Sequence, residues 1–262
     1  MTESAKRQDL TVALIQTDLA WEDAEANREH IGQLLDEVND ADIAVLPEMF
    51  STGFSMASDR LAESMEGPTV AWLTERARTT NRIVCGSFIA SESGRSYNRF
   101  VWMRPDGGFD LYDKRHLFRM AGEHEYYSEG TSRLVVEHKG WRICPLVCYD
   151  LRFPVWSRAA GTIDLYLFVA NWPARRDSHW RTLLAARAIE NQAYVAAVNR
   201  IGVDGNGLEY CGSSLVSDFN GEMRADLGNR STIQNVVLQF SSLVDWRRSF
   251  PAHLDADDFS LS

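Results

Sequence analysis

Apolar runs of strand length alternate with segments of helical period through most of the chain. Leu10–Gln16 reads as a buried strand, and Asp23–Val38 sets Ile31, Leu34, Leu35 and Val38 along one helical face. Asp42–Leu46 predicts the next strand, Pro68–Thr79 a helix with proline near its start, and Ile83–Ala90 a further strand. Tyr97–Met103 alternates, and Pro105-Asp-Gly-Gly108 marks a turn before a strand that leads to Lys114, so a hairpin is expected there. Beyond it, Trp141–Val147, Asp164–Ala170, Tyr194–Asn199 and Gly212–Asp218 read as strands and Ser178–Asn191 as a long helix, with a hairpin turn at Asn220-Gly221. This alternation of helices with buried and half-buried strands predicts an α/β architecture of sheets covered by helices.

Three of the apolar runs end on a reactive side chain. Ile43-Ala-Val-Leu-Pro-Glu-Met-Phe50 delivers Glu48, Leu111-Tyr-Asp-Lys-Arg-His-Leu-Phe118 delivers Lys114, and Arg142-Ile-Cys-Pro-Leu-Val-Cys-Tyr-Asp-Leu-Arg-Phe-Pro154 delivers Cys148. Pro154 suits the first turn of a helix, which places Cys148 on a tight strand-to-helix turn near backbone N–H groups. That position is expected to expose the sulfur and to favour thiolate over thiol.

In this order and these contexts, Glu48, Lys114 and Cys148 resemble the Glu-Lys-Cys triad of the nitrilase superfamily of carbon-nitrogen hydrolases, and the likeness covers nearly the whole chain. Within it, the strings LPEMFSTGF, YDKRHLF and CYDLRFPVW are most similar to the omega-amidase branch, whose members hydrolyse the terminal amide of short dicarboxylic acid monoamides such as 2-oxoglutaramate. The resemblance implies a four-layer α-β-β-α sandwich, no cofactor, and assembly as a homodimer or a higher homo-oligomer.

Amide chemistry gives each residue a task. A thiolate at Cys148 splits a difficult hydrolysis into acylation and deacylation. Glu48 is the available base for both steps, and the Lys114 ammonium with the backbone N–H of Tyr149 suits a developing oxyanion. Family members also hold a second glutamate between the lysine and the cysteine; counting back from Gly130 selects Glu123, with Glu125 as a rival. Asp150 and Arg152 flank the nucleophile turn and read as an ion pair or a helix cap in preference to direct substrate contact. Trp172 is a candidate pocket wall or a core aromatic. Phe50, Phe54 and Met56 follow Glu48 and either cover a small substrate or pack in the core. Arg175 and Arg176, just past Trp172, are candidates for binding a substrate carboxylate, or else form a solvated face.

Composition narrows the alternatives. A chain of 262 residues with 45% hydrophobic and 24% charged residues fits one globular domain over 1–262. The net charge of −10, with scattered Lys and Arg, disfavours nucleic acid and an electrostatic membrane anchor. No run reaches membrane-spanning length, and the polar N-terminus lacks a secretory signal, so a cytoplasmic location is expected. Cys85, Cys144, Cys148 and Cys211 form no metal or Cys-x-x-Cys spacing, and reduced thiols are the simpler reading. His116, His124, His138 and His179 lack ligand spacing, and Gly205-Asn-Gly207 opens no phosphate-binding helix, so neither metal nor nucleotide is expected. The alternatives are a nitrilase or carbamoylase using the same triad, or a catalytically silent dimeric binding module.

Overall fold

Asp23 caps the first helix by accepting the Ala26 N–H at 3.0 Å, so the helix begins where the apolar stripe does. The first half of the chain runs β1 (Leu10–Gln16), α1 (Ala24–Glu37), β2 (Ile43–Val45), the short α2 (Ser58–Leu61), α3 (Pro68–Thr80), β3 (Ile83–Glu92), β4 (Arg95–Met103) and β5 (Phe109–Asp113). After α4 (Glu123–Tyr126) come β6 (Val136–His138), β7 (Trp141–Val147), α5 (Pro154–Ser157), β8 (Leu165–Ala170), α6 (Asp177–Asn191) and β9 (Tyr194–Asn199). The chain ends with β10 (Ile201–Val203), β11 (Glu209–Cys211), β12 (Leu215–Ser217), β13 (Met223–Asp226), β14 (Thr232–Leu238) and α7 (Phe240–Ser249). The computed structural model describes residues 8–158 and 162–257. Most of the polar N-terminal stretch, residues 1–7, and the last part of the tail, 258–262, lie outside the described residues.

Two mixed six-stranded sheets form, in the orders β14-β1-β2-β3-β4-β5 and β13-β12-β9-β8-β7-β6. Strands β1 to β3 are mutually parallel in the first and β7 to β9 in the second. Leu10, Val12 and Leu14 of β1 share a buried cluster with residues of β7, β8 and β9. The intervening Ala13 and Ile15 instead join Ile31 and Leu35 of α1 and Val70, Leu73 and Ala77 of α3. The twofold alternation of one strand therefore separates the layer between the sheets from the layer beneath the helices. With α6 packing Trp180, Leu184 and Ala188 against the second sheet, the order is α-β-β-α, the four-layer sandwich expected. Among the described residues, no helix is long and apolar enough to cross a membrane.

Two local expectations change. The strand expected at Gly212–Asp218 is confined to Leu215–Ser217, because Gly212 and Ser213 adopt φ of +68° and +57° and turn the chain. Strand β14, which the hydrophobic pattern did not reveal, pairs antiparallel along the whole of β1, from Leu10 opposite Leu238 to Gln16 opposite Thr232. Its central Gln234 and Asn235 are exposed, which dilutes the apolar signal. The tail carries α7, whose Leu243 is buried, while Phe250 beyond it is exposed.

Candidate active site

Glu48, Lys114, Cys148 and Asn171 each follow a strand within three residues, after β2, β5, β7 and β8. Pro47 lacks an N–H and stops the β2 ladder, and Met49 turns the chain at φ +43°. The Met49 N–H then donates to Ser87 Oγ at 2.9 Å and the Phe50 N–H to the Ser87 carbonyl at 3.0 Å, which fixes the Glu48 loop on β3. Lys114 is held by its own backbone: its N–H donates to the Asn98 carbonyl and its carbonyl accepts from the Gly130 N–H, both at 3.0 Å. Gly130 comes so close that a Cβ there would lie 2.0 Å from the Asp113 carbonyl oxygen, so only glycine fits.

The side chains converge. Lys114 Nζ donates to Glu48 Oε1 at 2.9 Å and to Glu123 Oε1 and Oε2 at 3.0 and 2.9 Å. Glu48 and Glu123 are 0% exposed and Lys114 1%. The Asn171 N–H donates to Glu48 Oε2 at 2.7 Å, and Asn171 Nδ2 donates to the Glu48 carbonyl at 2.6 Å. Glu123 Oε2 also accepts the Phe118 N–H at 2.5 Å. Of the two glutamates the sequence left open, Glu123 is therefore the one in the cluster, and Glu125 is exposed. Burial works to lower the Lys114 pKa, but Glu123 and Glu48, with a smaller effect from Cys148, outweigh it and raise the value. Burial raises the Glu123 carboxyl above the usual carboxylate range, with Lys114 opposing it and Glu48 reinforcing it.

Cys148 corrects an expectation. It follows β7 directly, at φ +45°, a left-handed conformation that costs a non-glycine residue about 1 kcal/mol or more. Yet the residue is only 9% exposed, and the turn after it, Cys148–Arg152, is 3₁₀, with Pro154 opening a separate four-residue helix. The sulfur donates to the Asn171 carbonyl at 3.9 Å. Its pKa is raised, first by burial and then by the Glu48 carboxylate beside it, while Lys114 works the other way. Burial and the neighbouring Glu48 carboxylate therefore work against the thiolate that the turn position led one to expect, and Lys114 alone works for it.

A cavity of about 390 Å³ opens over the sulfur. Lys114, Cys148, Tyr149, Phe54, Trp172, Arg175 and Arg176 line it, while Glu48 and Glu123 lie outside its lining and reach it through Lys114. Trp172 serves both readings, being 3% exposed in the core and forming a wall of the cavity; its Nε1 donates to the Arg176 carbonyl at 2.8 Å. Phe54 faces the Lys114 ammonium at 5.1 Å, Met56 also lines the cavity, and Phe50 is core. Asp150 and Arg152 part company. Asp150 is fully buried and accepts from Tyr112 Oη at 2.7 Å and from the N–H groups of Val147 and His116 at 3.0 Å, tying the lysine and cysteine segments together. Arg152, for which an ion pair or cap is the preferred reading over substrate contact, lies over the Trp172 ring at 4.8 Å and joins the cavity wall, a position that suits the second reading. Arg176 has its pKa lowered by burial and then by Arg175 and Arg152, the electrostatic signature of a cation cluster that favours an anion.

Asn98 and Asn171 escaped sequence reasoning, because an asparagine within or just after an apolar strand carries no signal of its own until its partners are known. Among the described residues no group of three His, Cys, Asp or Glu side chains is arranged to hold a metal ion.

The comparisons fit this geometry. The family model described as carbon-nitrogen hydrolase matches residues 11–248. The chain is 48% identical to omega-amidase YafV of Escherichia coli K12 over 96% of its length and 98% of that protein. It is 33% identical to a 2-oxoglutaramate amidase of Bacillus subtilis, over 94% and 96% of the two chains. The crystal structure of XC1258 from Xanthomonas campestris, a CN-hydrolase superfamily protein with an arsenic adduct in its active site, superposes with a TM-score of 0.94 at 46% identity, covering 97% of this chain and 99% of that one.

Proposed function

As the chain belongs to the carbon-nitrogen hydrolase family, within its omega-amidase branch, we propose that it releases ammonia from short dicarboxylic acid monoamides, 2-oxoglutaramate and 2-oxosuccinamate, through a thioester on Cys148. It is a hydrolase of linear amides. The observation that carries the reading is the cavity over Cys148, which Lys114 and the arginines also line and against which the Glu48 carboxylate stands, hydrogen-bonded to Lys114 and beside the thiol.

In this reading Glu48 takes the thiol proton as Sγ forms a bond to the amide carbon. The oxyanion rests against Lys114 Nζ and the Tyr149 N–H, donors built into a dry site. Glu48 then passes its proton to the amide nitrogen as the C–N bond breaks and ammonia leaves. Water, deprotonated by the same carboxylate, attacks the thioester, the C–S bond breaks, and the thiol recovers its proton. A base that acts on approach of substrate suits a thiol whose pKa is raised. Glu123 keeps Lys114 charged and in place.

The carboxylate at the far end of the substrate pairs with Arg175 and Arg176. Ammonia release is expected from both monoamides and not from nitriles or N-carbamoyl amino acids; turnover of those compounds alone would refute the amidase reading. Arg176→Ala and Arg175→Ala are expected to raise KM for 2-oxoglutaramate about tenfold and to leave an uncharged aliphatic amide unaffected. Unchanged KM in both variants removes the pair from the site.

A further inference from the structure

We propose that Asn98 is a positioning residue of this site, a neutral donor that joins the two glutamates and sets the protonation of the pair; this rests on the roles given above to Glu48, Lys114 and Cys148. Asn98 lies within β4 with its side chain fully buried, a placement that disfavours a polar group unless its hydrogen bonds are made. Its Nδ2 donates to Glu48 Oε1 at 2.8 Å and to Glu123 Oε1 at 3.2 Å. Those same two oxygens accept Lys114 Nζ at 2.9 and 3.0 Å, so one ammonium and one amide alternate with two carboxylate oxygens in a closed ring. The Asn98 carbonyl also accepts the Lys114 N–H.

The orientation of the amide follows from its neighbours. Turned the other way, Oδ1 would face two carboxylate oxygens, acceptor against acceptor. Oδ1 instead lies on the far side, buried and without a partner, so the bonds to the carboxylates alone fix the group. A second cation in its place would hold both carboxylates ionised too firmly to take a proton. An apolar residue would leave two oxygens sharing one ammonium. Besides the ring's own Glu48 from the loop after β2, Lys114 from the end of β5 and Glu123 of α4, the titratable groups that interact with it are Tyr127 just after α4, Cys148 from the end of β7 and Tyr210 of β11. Asn98 is outside the cavity lining, so it acts through the glutamates and does not touch substrate.

The test compares the purified full chain with Asn98→Ala and Asn98→Asp, measuring ammonia release from 2-oxoglutaramate across pH. Asn98→Ala is expected to lower kcat about 100-fold, with KM changed by less than about twofold. The acid limb of kcat/KM moves to higher pH, because a carboxylate that loses a donor holds its proton more tightly. Asn98→Asp, nearly the same shape, moves the limb further by adding a third carboxyl. A residue that only supported the fold would lower the folded fraction and leave the limb where it was. Asn98→Ser supplies the reading if Asn98→Ala does not fold. A folded Asn98 variant with the kcat and acid limb of the parent chain, beside an inactive Cys148→Ala, overturns this proposal alone; an active Cys148→Ala overturns the site reading on which it rests.

Discussion

Cys148→Ala is expected to abolish ammonia release, by about 10⁴-fold or more, while the protein keeps its fold. In the proposed mechanism, removing the sulfur leaves no atom able to form the acyl intermediate, and the proposed oxyanion donors alone cannot replace covalent catalysis. The fold survives because alanine takes up the same turn: the strain at φ +45° lies in the backbone, and the lost atom occupies little volume. Glu48→Gln separates the base from the electrostatics of the sulfur. Turnover is expected to fall about 10²- to 10⁴-fold. Alkylation of Cys148 by iodoacetamide near neutral pH is expected to quicken, since after burial the Glu48 charge is the largest influence raising the thiol pKa. Alkylation that slows in step with turnover would show that this account of the thiol is wrong.

Lys114→Met is expected to be the most destabilising single change at the site, by about 3–5 kcal/mol at neutral pH, and inactive as well. Nζ makes three hydrogen bonds to two fully buried carboxylates, and a thioether leaves both without a counter-charge. The pH dependence has a definite sign. Burial already raises the Glu123 pKa and Lys114 restrains it, so without the lysine it rises further. A carboxyl whose folded pKa exceeds its unfolded value binds its proton more tightly in the folded state. Its stabilising effect is full below the unfolded pKa and is lost as pH rises through the folded one. Lys114→Met is therefore expected to be more stable near pH 5 than near pH 8, about the reverse of ordinary acid denaturation. Adding Glu123→Gln should restore much of the stability and none of the activity. Urea denaturation at the two pH values checks both points; a deficit that is the same at each, or that the second substitution fails to relieve, would refute the charge-balance explanation.

Much of this was legible along the chain. The strands Leu10–Gln16, Trp141–Val147 and Tyr194–Asn199 appear where their largely apolar runs place them, because strands buried on both faces are predominantly apolar. Glu48, Lys114 and Cys148 stood out because each ends such a run, where the chain must leave the sheet. Arg152 reads along the chain as an ion-pair or capping residue ahead of a substrate contact, because polar residues beside a turn often stabilise a helix entrance. In the folded chain Asp150 is satisfied by Tyr112, His116 and Val147, and Arg152 is free to lie on Trp172.

By itself the sequence determined the order and type of most elements, the layered fold class and the three residues around which the candidate site is proposed, because local periodicity and strand termini are short-range properties. Only the tertiary structure decided which carboxylate joins the lysine, that Asn98 and Asn171 complete the cluster, that β14 closes one edge of β1, and that burial and Glu48 push the Cys148 thiol pKa up. Each of these depends on distances between segments far apart in the chain, and on the water that their packing removes. Desolvation and charge proximity, which set the protonation of the site, belong to the assembled cavity and to no segment of the sequence.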